Sequence, residues 1–302
     1  MDPIGRTGAA AVATVCLAVT LVGCGAVRDE PDRATRPAVG RPFGGVLSFS
    51  PAQQAALSQA QHRSTAACMA ARGFRYRVPP ALPAAAGPDN PYGLLGEESA
   101  RVSGYGLSGH RDRGGPPPDQ SASVPPGQRA RWQRALFGTR AHRVVVPLPG
   151  GGEVFFNTDG CVQRARTEVY GERWDRLQYT FQGLSHQVVT AVERAGPVRA
   201  AHREWASCME RSGLAAATPK RSRALVVSKL EQVAAGRLSP REAARFELRT
   251  ATEDARCQRQ SALAPAVAAA AREEERRVLR TRAGEFRLLR DLRAAALGRV
   301  ED

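Results

Sequence analysis

The residues of this 302-residue chain best placed to do chemistry are its six cysteines. Leu21-Val22-Gly23-Cys24 closes an apolar run that starts near Gly8 and has the form of a lipobox. There a thiol accepts a diacylglyceryl group, and a small residue before it leaves room for the peptidase that frees the cysteine. Arg6 and the amino terminus precede about fifteen mostly apolar residues, Gly8 to Val22, short of the roughly 20 that span a bilayer. The expectation is a signal peptide over 1–23, removed with Cys16, and a mature chain lipidated at Cys24 on the extracytoplasmic face of a cell membrane.

Cys68, Cys161, Cys208 and Cys257 remain, an even number in an exported chain, which points to disulfides. Four cysteines allow three pairings, and an internal echo bears on the choice. His62-Arg63-Ser64-Thr65-Ala66-Ala67-Cys68-Met69-Ala70-Ala71-Arg72-Gly73 matches His202-Arg203-Glu204-Trp205-Ala206-Ser207-Cys208-Met209-Glu210-Arg211-Ser212-Gly213 at His, Arg, Cys, Met and Gly. Each copy puts a cysteine just over one turn before a helix-stopping glycine. Each is followed by a further cysteine, in Asp159-Gly160-Cys161 and in Asp254-Ala255-Arg256-Cys257. The echo favours Cys68 with Cys161 and Cys208 with Cys257, in two related units, with four buried thiols as the alternative. Loops of that size would lose unfolded-state entropy worth ~4 to 5 kcal/mol each. No pair has CxxC spacing and no His is placed to complete a set, so no metal site is expected.

Other motifs give no catalytic constellation. Gly104-Tyr105-Gly106-Leu107-Ser108-Gly109 fits GxGxxG but follows no strand and opens no clear helix, which argues against a dinucleotide. Gly106 to His110 fails the GxSxG elbow because His110 takes the last glycine position. His62, His110, His142, His186 and His202 show no HExxH or i, i+4 pairing, and His62 and His202 suit helix surfaces or caps. Glu273-Glu274-Glu275 between arginines reads as a solvated helix face. Neither enzymatic activity nor a cofactor is expected.

The elements that position the cysteines are mainly helical. Residues 24–49, with Pro31, Pro37, Pro42 and Gly44-Gly45, read as a lipidated tether. Ser50-Pro51-Ala52-Gln53 starts a helix through Arg72 that stops at Gly73. Phe74 to Val78 alternates like a short strand. Residues 81–127 form a long Pro/Gly loop, disordered over 108–126, in which Asn90 to Leu95 could pack. Gln128 to Phe137 is a short amphipathic helix, and Arg143 to Leu148 with Glu153 to Phe156 a β-hairpin. Everything after Asp159 is helical in pattern, with breaks near Gly183, Gly196-Pro197, Gly213, Gly236 and Pro265. From Pro265 to Leu297 a helix carries Val278, Phe286, Leu289, Leu292 and Ala296 on one stripe, for packing on its own domain or for a partner.

Several of these motifs resemble a group of secreted or lipid-anchored actinobacterial proteins of uncharacterised function. They are Cys68-Met69 with Gly73-Phe74, Asn90-Pro91-Tyr92-Gly93, Ala135-Leu136 with Gly138, Asp159-Gly160-Cys161 with Tyr170-Gly171, Trp205 with Cys208-Met209, and Asp254 with Cys257. The resemblance spans roughly 50–264 and implies no activity and no catalytic residue.

The net charge is +15, and 42 of the 44 basic residues are Arg. The excess is spread, +8 over 25–150, +5 over 151–264 and +2 over 265–302, with no block of like charge. Export excludes nucleic acid and leaves phospholipid headgroups or anionic wall polymers as partners. The fold expected is mainly α: a first helical unit over 50–172 with the long loop and hairpin, a second over 173–264, and a C-terminal helix over 265–302, stapled by disulfides. The function expected is that of a non-enzymatic cell-envelope lipoprotein that binds or scaffolds. The alternative is an accessory or ligand-capturing lipoprotein of an envelope transport system.

Overall fold

A computed structural model describes residues 40–81, 90–109 and 120–301, all within one compact unit, Thr35–Asp302. The signal peptide, Cys24, most of the tether, His110 and the proline run at 116–118 lie outside the described residues. The architecture is mainly helical with a two-stranded antiparallel hairpin and two disulfides, as the pattern of residues predicts. None of the described helices is long and apolar enough to cross a membrane.

Helix α1 (Pro51–Ala71) starts at a capping box: Ser50 Oγ accepts from the Gln53 N–H at 3.2 Å, and Gln53 Oε1 from the Ser50 N–H at 3.1 Å. It packs against α4 (Cys161–Tyr170) and ends at Gly73. The main core forms where α5 (Trp174–Arg194) meets α9 (Leu263–Glu301). On α5, Trp174, Leu177, Phe181, Leu184, Val188 and Val192 recur every three or four residues and are all buried. α9 supplies Leu263, Val267, Ala271, Leu289 and Ala296, with Val278, Phe286 and Leu292 half-buried. The predicted C-terminal stripe thus packs on its own domain, against α5 and α6 (Gly196–Arg211).

Several boundaries differ from the sequence expectation, each for a physical reason. Residues 42–49 are not tether: Phe43 and Val46 are buried, and the Phe43 ring packs 5.3 Å from Phe181 and 6.0 Å from Phe286. Residues 74–78 form no strand and pair in no sheet. Their polar groups go to side chains instead, with the Trp132 indole N–H on the Arg75 carbonyl at 3.2 Å and the Arg77 N–H on Gln120 Oε1 at 2.9 Å. Gly183 does not break α5; a Cβ there would lie 2.9 Å from Pro149 Cδ, so this glycine makes room for the hairpin tip. Pro265 likewise falls inside the first turn of α9, where no amide donor is needed, and the break comes at Ala262, with φ +51°.

The hairpin pairs β1 (Arg143–Pro147) with β2 (Glu153–Asn157), Val145 opposite Phe155. α3 (Arg129–Phe137) precedes it and buries Trp132, Ala135 and Leu136. Residues 120–128 are not disordered: they form short 3₁₀ turns, Gln120–Ser123 and Pro126–Gln128, leading into α3. The expected division at 172 does not separate two bodies. Short α2 (Glu97–Ser103), from the first half, packs on α8 (Pro240–Gln260), from the second, beside α7 (Pro219–Ala234).

Candidate functional site

The cysteines pair as the echo favours: Cys68 with Cys161 and Cys208 with Cys257, each with Cα atoms 5.6 Å apart. The repeated sequence builds the same helix end twice. The Phe74 N–H donates to the Met69 carbonyl at 2.9 Å and the Leu214 N–H to the Met209 carbonyl at 3.0 Å, over Gly73 and Gly213 in the left-handed region. This six-to-one closure satisfies carbonyls that a helix end leaves free. Met69 and Met209 are fully buried beside their bridges, each in a small cluster separate from the main core.

The densest buried polar group lies on α8, around two carboxylates. Asp254 Oδ2 accepts from the hydroxyls of Tyr105 at 2.7 Å and Ser222 at 2.8 Å, and Oδ1 from Trp205 Nε1 at 2.9 Å and Gln258 Nε2 at 2.7 Å. Burial drives the Asp254 carboxyl above its ordinary range, and these four bonds oppose the shift. Burial, then the neighbouring Asp254, also raises the Tyr105 phenol. Gln258 extends the network to the chain at 93–95, donating to the Gly93 carbonyl at 3.1 Å and accepting the Leu95 N–H at 3.0 Å.

About two turns earlier on α8, Glu247 is 1% exposed. Its Oε1 accepts the N–H groups of Tyr105 at 2.9 Å and Leu107 at 2.7 Å, and its Oε2 that of Ser108 at 2.7 Å. The glycine-rich segment 104–109 therefore does wrap an anion with its backbone, but the anion belongs to the chain itself. Gly104 permits the approach: its φ is +61°, and a Cβ would fall 2.8 Å from Glu247 Cγ. Nucleotide phosphate has no place where the carboxylate already sits.

An open cleft of about 570 Å³ lies between residues 43–46 and α9. Phe43, Leu279 and Phe286 give it apolar walls, and Arg290 and Arg293 line it on α9. Arg293 donates to the Ser48 carbonyl at 2.9 Å and stacks 4.9 Å from the Phe49 ring centre. Phe43 stands at φ 56°, ψ 37°, followed by Gly44 and Gly45, also at positive φ, a left-handed run that a phenylalanine adopts only under constraint. Its N–H is held by Glu275, whose carboxyl is raised by burial. Glu275 shares this lining, so the apolar walls carry an acid as well as two guanidinium groups, which suits a small amphipathic ligand with an anionic group placed toward the arginines.

Sequence reasoning singled out Asp254 beside Cys257 but not the roles of Glu247, Ser222, Gln258 or Arg293. Glu247 and Gln258 carry a faint signal as polar residues on the inward stripe of an amphipathic helix. His62 is half-buried, with Nδ1 2.8 Å from the Tyr76 hydroxyl, and burial lowers its pKa as it does that of His202. Among the described residues no group of three or more His, Cys, Asp or Glu is arranged to hold a metal ion. No family model, curated protein or solved structure matches this chain.

Proposed function

We propose that the protein is an exported lipoprotein, anchored through Cys24 on the extracytoplasmic face of the membrane, that binds or scaffolds rather than catalyses. The observation that carries this reading is the pair of disulfides, which persist in oxidising compartments and accord with the lipobox at 21–24. The buried acids support the second half. Asp254 and Glu247 are sealed into internal hydrogen bonds, and Asp175 is bonded to Arg166 and Gln163, so these three hold the fold instead of facing a substrate. The resemblance to secreted or lipid-anchored actinobacterial proteins points the same way.

The test is expression in a bacterium supplied with labelled fatty acid. Label and membrane sedimentation are expected in the native chain and lost in Cys24→Ala; label in the variant, or a chain that stays in the cytoplasm with reduced thiols, refutes the anchor. Turnover of cell-wall glycan, peptide or ester by the purified protein, abolished by changing one polar residue, refutes the non-enzymatic half. A second reading, a ligand-capturing lipoprotein of a transport system, draws on the Arg290–Arg293 cleft. It predicts co-purification of a permease and loss of anion binding in Arg290→Ala/Arg293→Ala.

A further inference from the structure

Two stretches of the chain contain no carboxylate. Residues 50–81 carry Arg63, Arg72, Arg75 and Arg77, and residues 120–152 carry Arg129, Arg131, Arg134, Arg140 and Arg143. The fold joins them. The Arg72 guanidinium on the Ala135 carbonyl at 3.0 Å and Trp132 on the Arg75 carbonyl hold the end of α1 against α3, while the Cys68–Cys161 bridge and Arg72 on the Asp159 carbonyl at 2.9 Å tie it to the start of α4 that packs on α3. α3 leaves Arg129, Arg131, Arg134 and Phe137 exposed, and Arg140 is exposed just beyond it.

Large apolar side chains stand in the same region. Phe137 is 57% exposed, and its carbonyl accepts Asn157 Nδ2 at 2.9 Å, which joins it to the hairpin. Asn157 and Phe155 share one face of β2, opposite Arg143 and Val145 of β1. On that face Phe155 is 56% and Val145 43% exposed, and the Arg143 guanidinium lies 3.9 Å from the Phe155 ring centre. Of the carboxylates nearby, Asp159 is occupied by the Thr139 N–H and hydroxyl at 2.9 and 2.8 Å, and the exposed Glu153 shares the face of Phe155 at the turn end of β2, a single acid against the five arginines of 120–152.

We propose that this face docks on an anionic lipid bilayer, with Phe137, Phe155 and Val145 entering at headgroup depth and the arginines meeting lipid phosphates. The charge complements an anionic surface, and a bilayer also takes up exposed aromatic rings, whereas a soluble phosphodiester polymer would engage the arginines and leave the rings in water. The proposal deepens the lipid-anchor reading, since a chain tethered at Cys24 would meet the bilayer at high effective concentration.

The experiment uses the unit from Thr35 onward, a compact body with its own core and both bridges, so the lipid anchor is absent and is judged separately by the labelling test above. It is sedimented with vesicles of phosphatidylcholine, with and without phosphatidylglycerol. Binding is expected only to the anionic vesicles, to weaken with salt, to fall about 5-fold for each of Arg131→Gln, Arg134→Gln and Arg140→Gln, and to fall at least ~10-fold in Phe137→Ser/Phe155→Ser. Circular dichroism checks that each variant is folded. A separate variant, Phe155→Trp, should show emission quenched by brominated acyl chains. Equal binding to both vesicle types, binding indifferent to the phenylalanine pair, or an unquenched tryptophan in bound protein each overturns the proposal. So does capture by soluble polyglycerol phosphate that depends on the arginines alone.

Discussion

Glu247→Gln tests whether the glycine-rich segment is held by a buried charge. The carboxylate receives three backbone N–H groups, two on Oε1 and one on Oε2. A glutamine that keeps Oε1 toward Tyr105 and Leu107 turns its amide N–H₂ toward the Ser108 N–H, donor against donor. One bond to a charged acceptor disappears, at about 1.5–3 kcal/mol, and the two survivors weaken by about 1 kcal/mol each as the acceptor becomes neutral. The variant gains back part of the carboxylate's desolvation cost. The balance is a loss of about 2–4 kcal/mol, concentrated on α2 and residues 104–108. At 1.4 kcal/mol per decade, amide exchange at Tyr105, Leu107 and Ser108 should accelerate about 30- to 700-fold in hydrogen exchange read by mass spectrometry or NMR. Exchange in α5 should change far less, because its protection comes from the main core. If those three amides keep their protection within a factor of about three, or if α5 exchange rises in parallel, the segment is not held by Glu247.

Three further outcomes follow from the geometry. Asp254→Asn should flatten the pH dependence of urea stability: a carboxyl raised in the folded state is protonated there while already ionised in the unfolded chain, so native stability falls as pH rises from the ordinary value of 3.8 through the folded pKa. A wild-type minus variant difference that rises with pH over that window would contradict the assignment. Replacing Cys68 and Cys161 by Ser should cost about 4.7 kcal/mol and replacing Cys208 and Cys257 about 4.1 kcal/mol, from loops of 93 and 49 residues, less any relaxation, as read from urea midpoints. Added salt should restore part of the first loss and little of the second, since the arginines beside the first bridge lie in stretches without carboxylates while α6 and α8, joined by the second, carry both signs of charge; equal salt responses would remove that account.

The helices and the bridges were legible because their signals are local. Ser50-Pro51-Ala52-Gln53 states a capping box in four letters, and the structure makes both of its hydrogen bonds. The Cys-Met-x-x-x-Gly repeat states a helix end, and the two ends close alike. What failed was tertiary. Gly183 reads as a breaker until Pro149 is seen against it, and Phe43 reads as tether until Phe181 and Phe286 close on its ring. Glu247 lies 139 to 142 residues from the amides it receives, so no window of sequence holds both parts of that site. The GxGxxG pattern was informative about its backbone and silent about the source of the anion.

The charge illustrates the same distinction and explains why a bridge lies where it does. Along the sequence the arginines of 120–152 are two or more residues apart, which reads as an even spread, yet the fold stacks that stretch on 50–81, equally free of carboxylates. Gathering like charges opposes folding, by an amount that falls as salt screens it over about 8–10 Å. Among the described residues, the cluster beneath them offers Met69, Trp132, Ala135, Leu136 and Cys161 as buried apolar contacts, against 21 buried residues in the main core. A cluster that small has little burial to set against the repulsion, and Cys68–Cys161 supplies a constraint independent of charge. The cost of collecting the arginines is therefore borne by a covalent bond, which leaves the exposed faces of α3 and the hairpin free to keep both their charge and their rings in solvent.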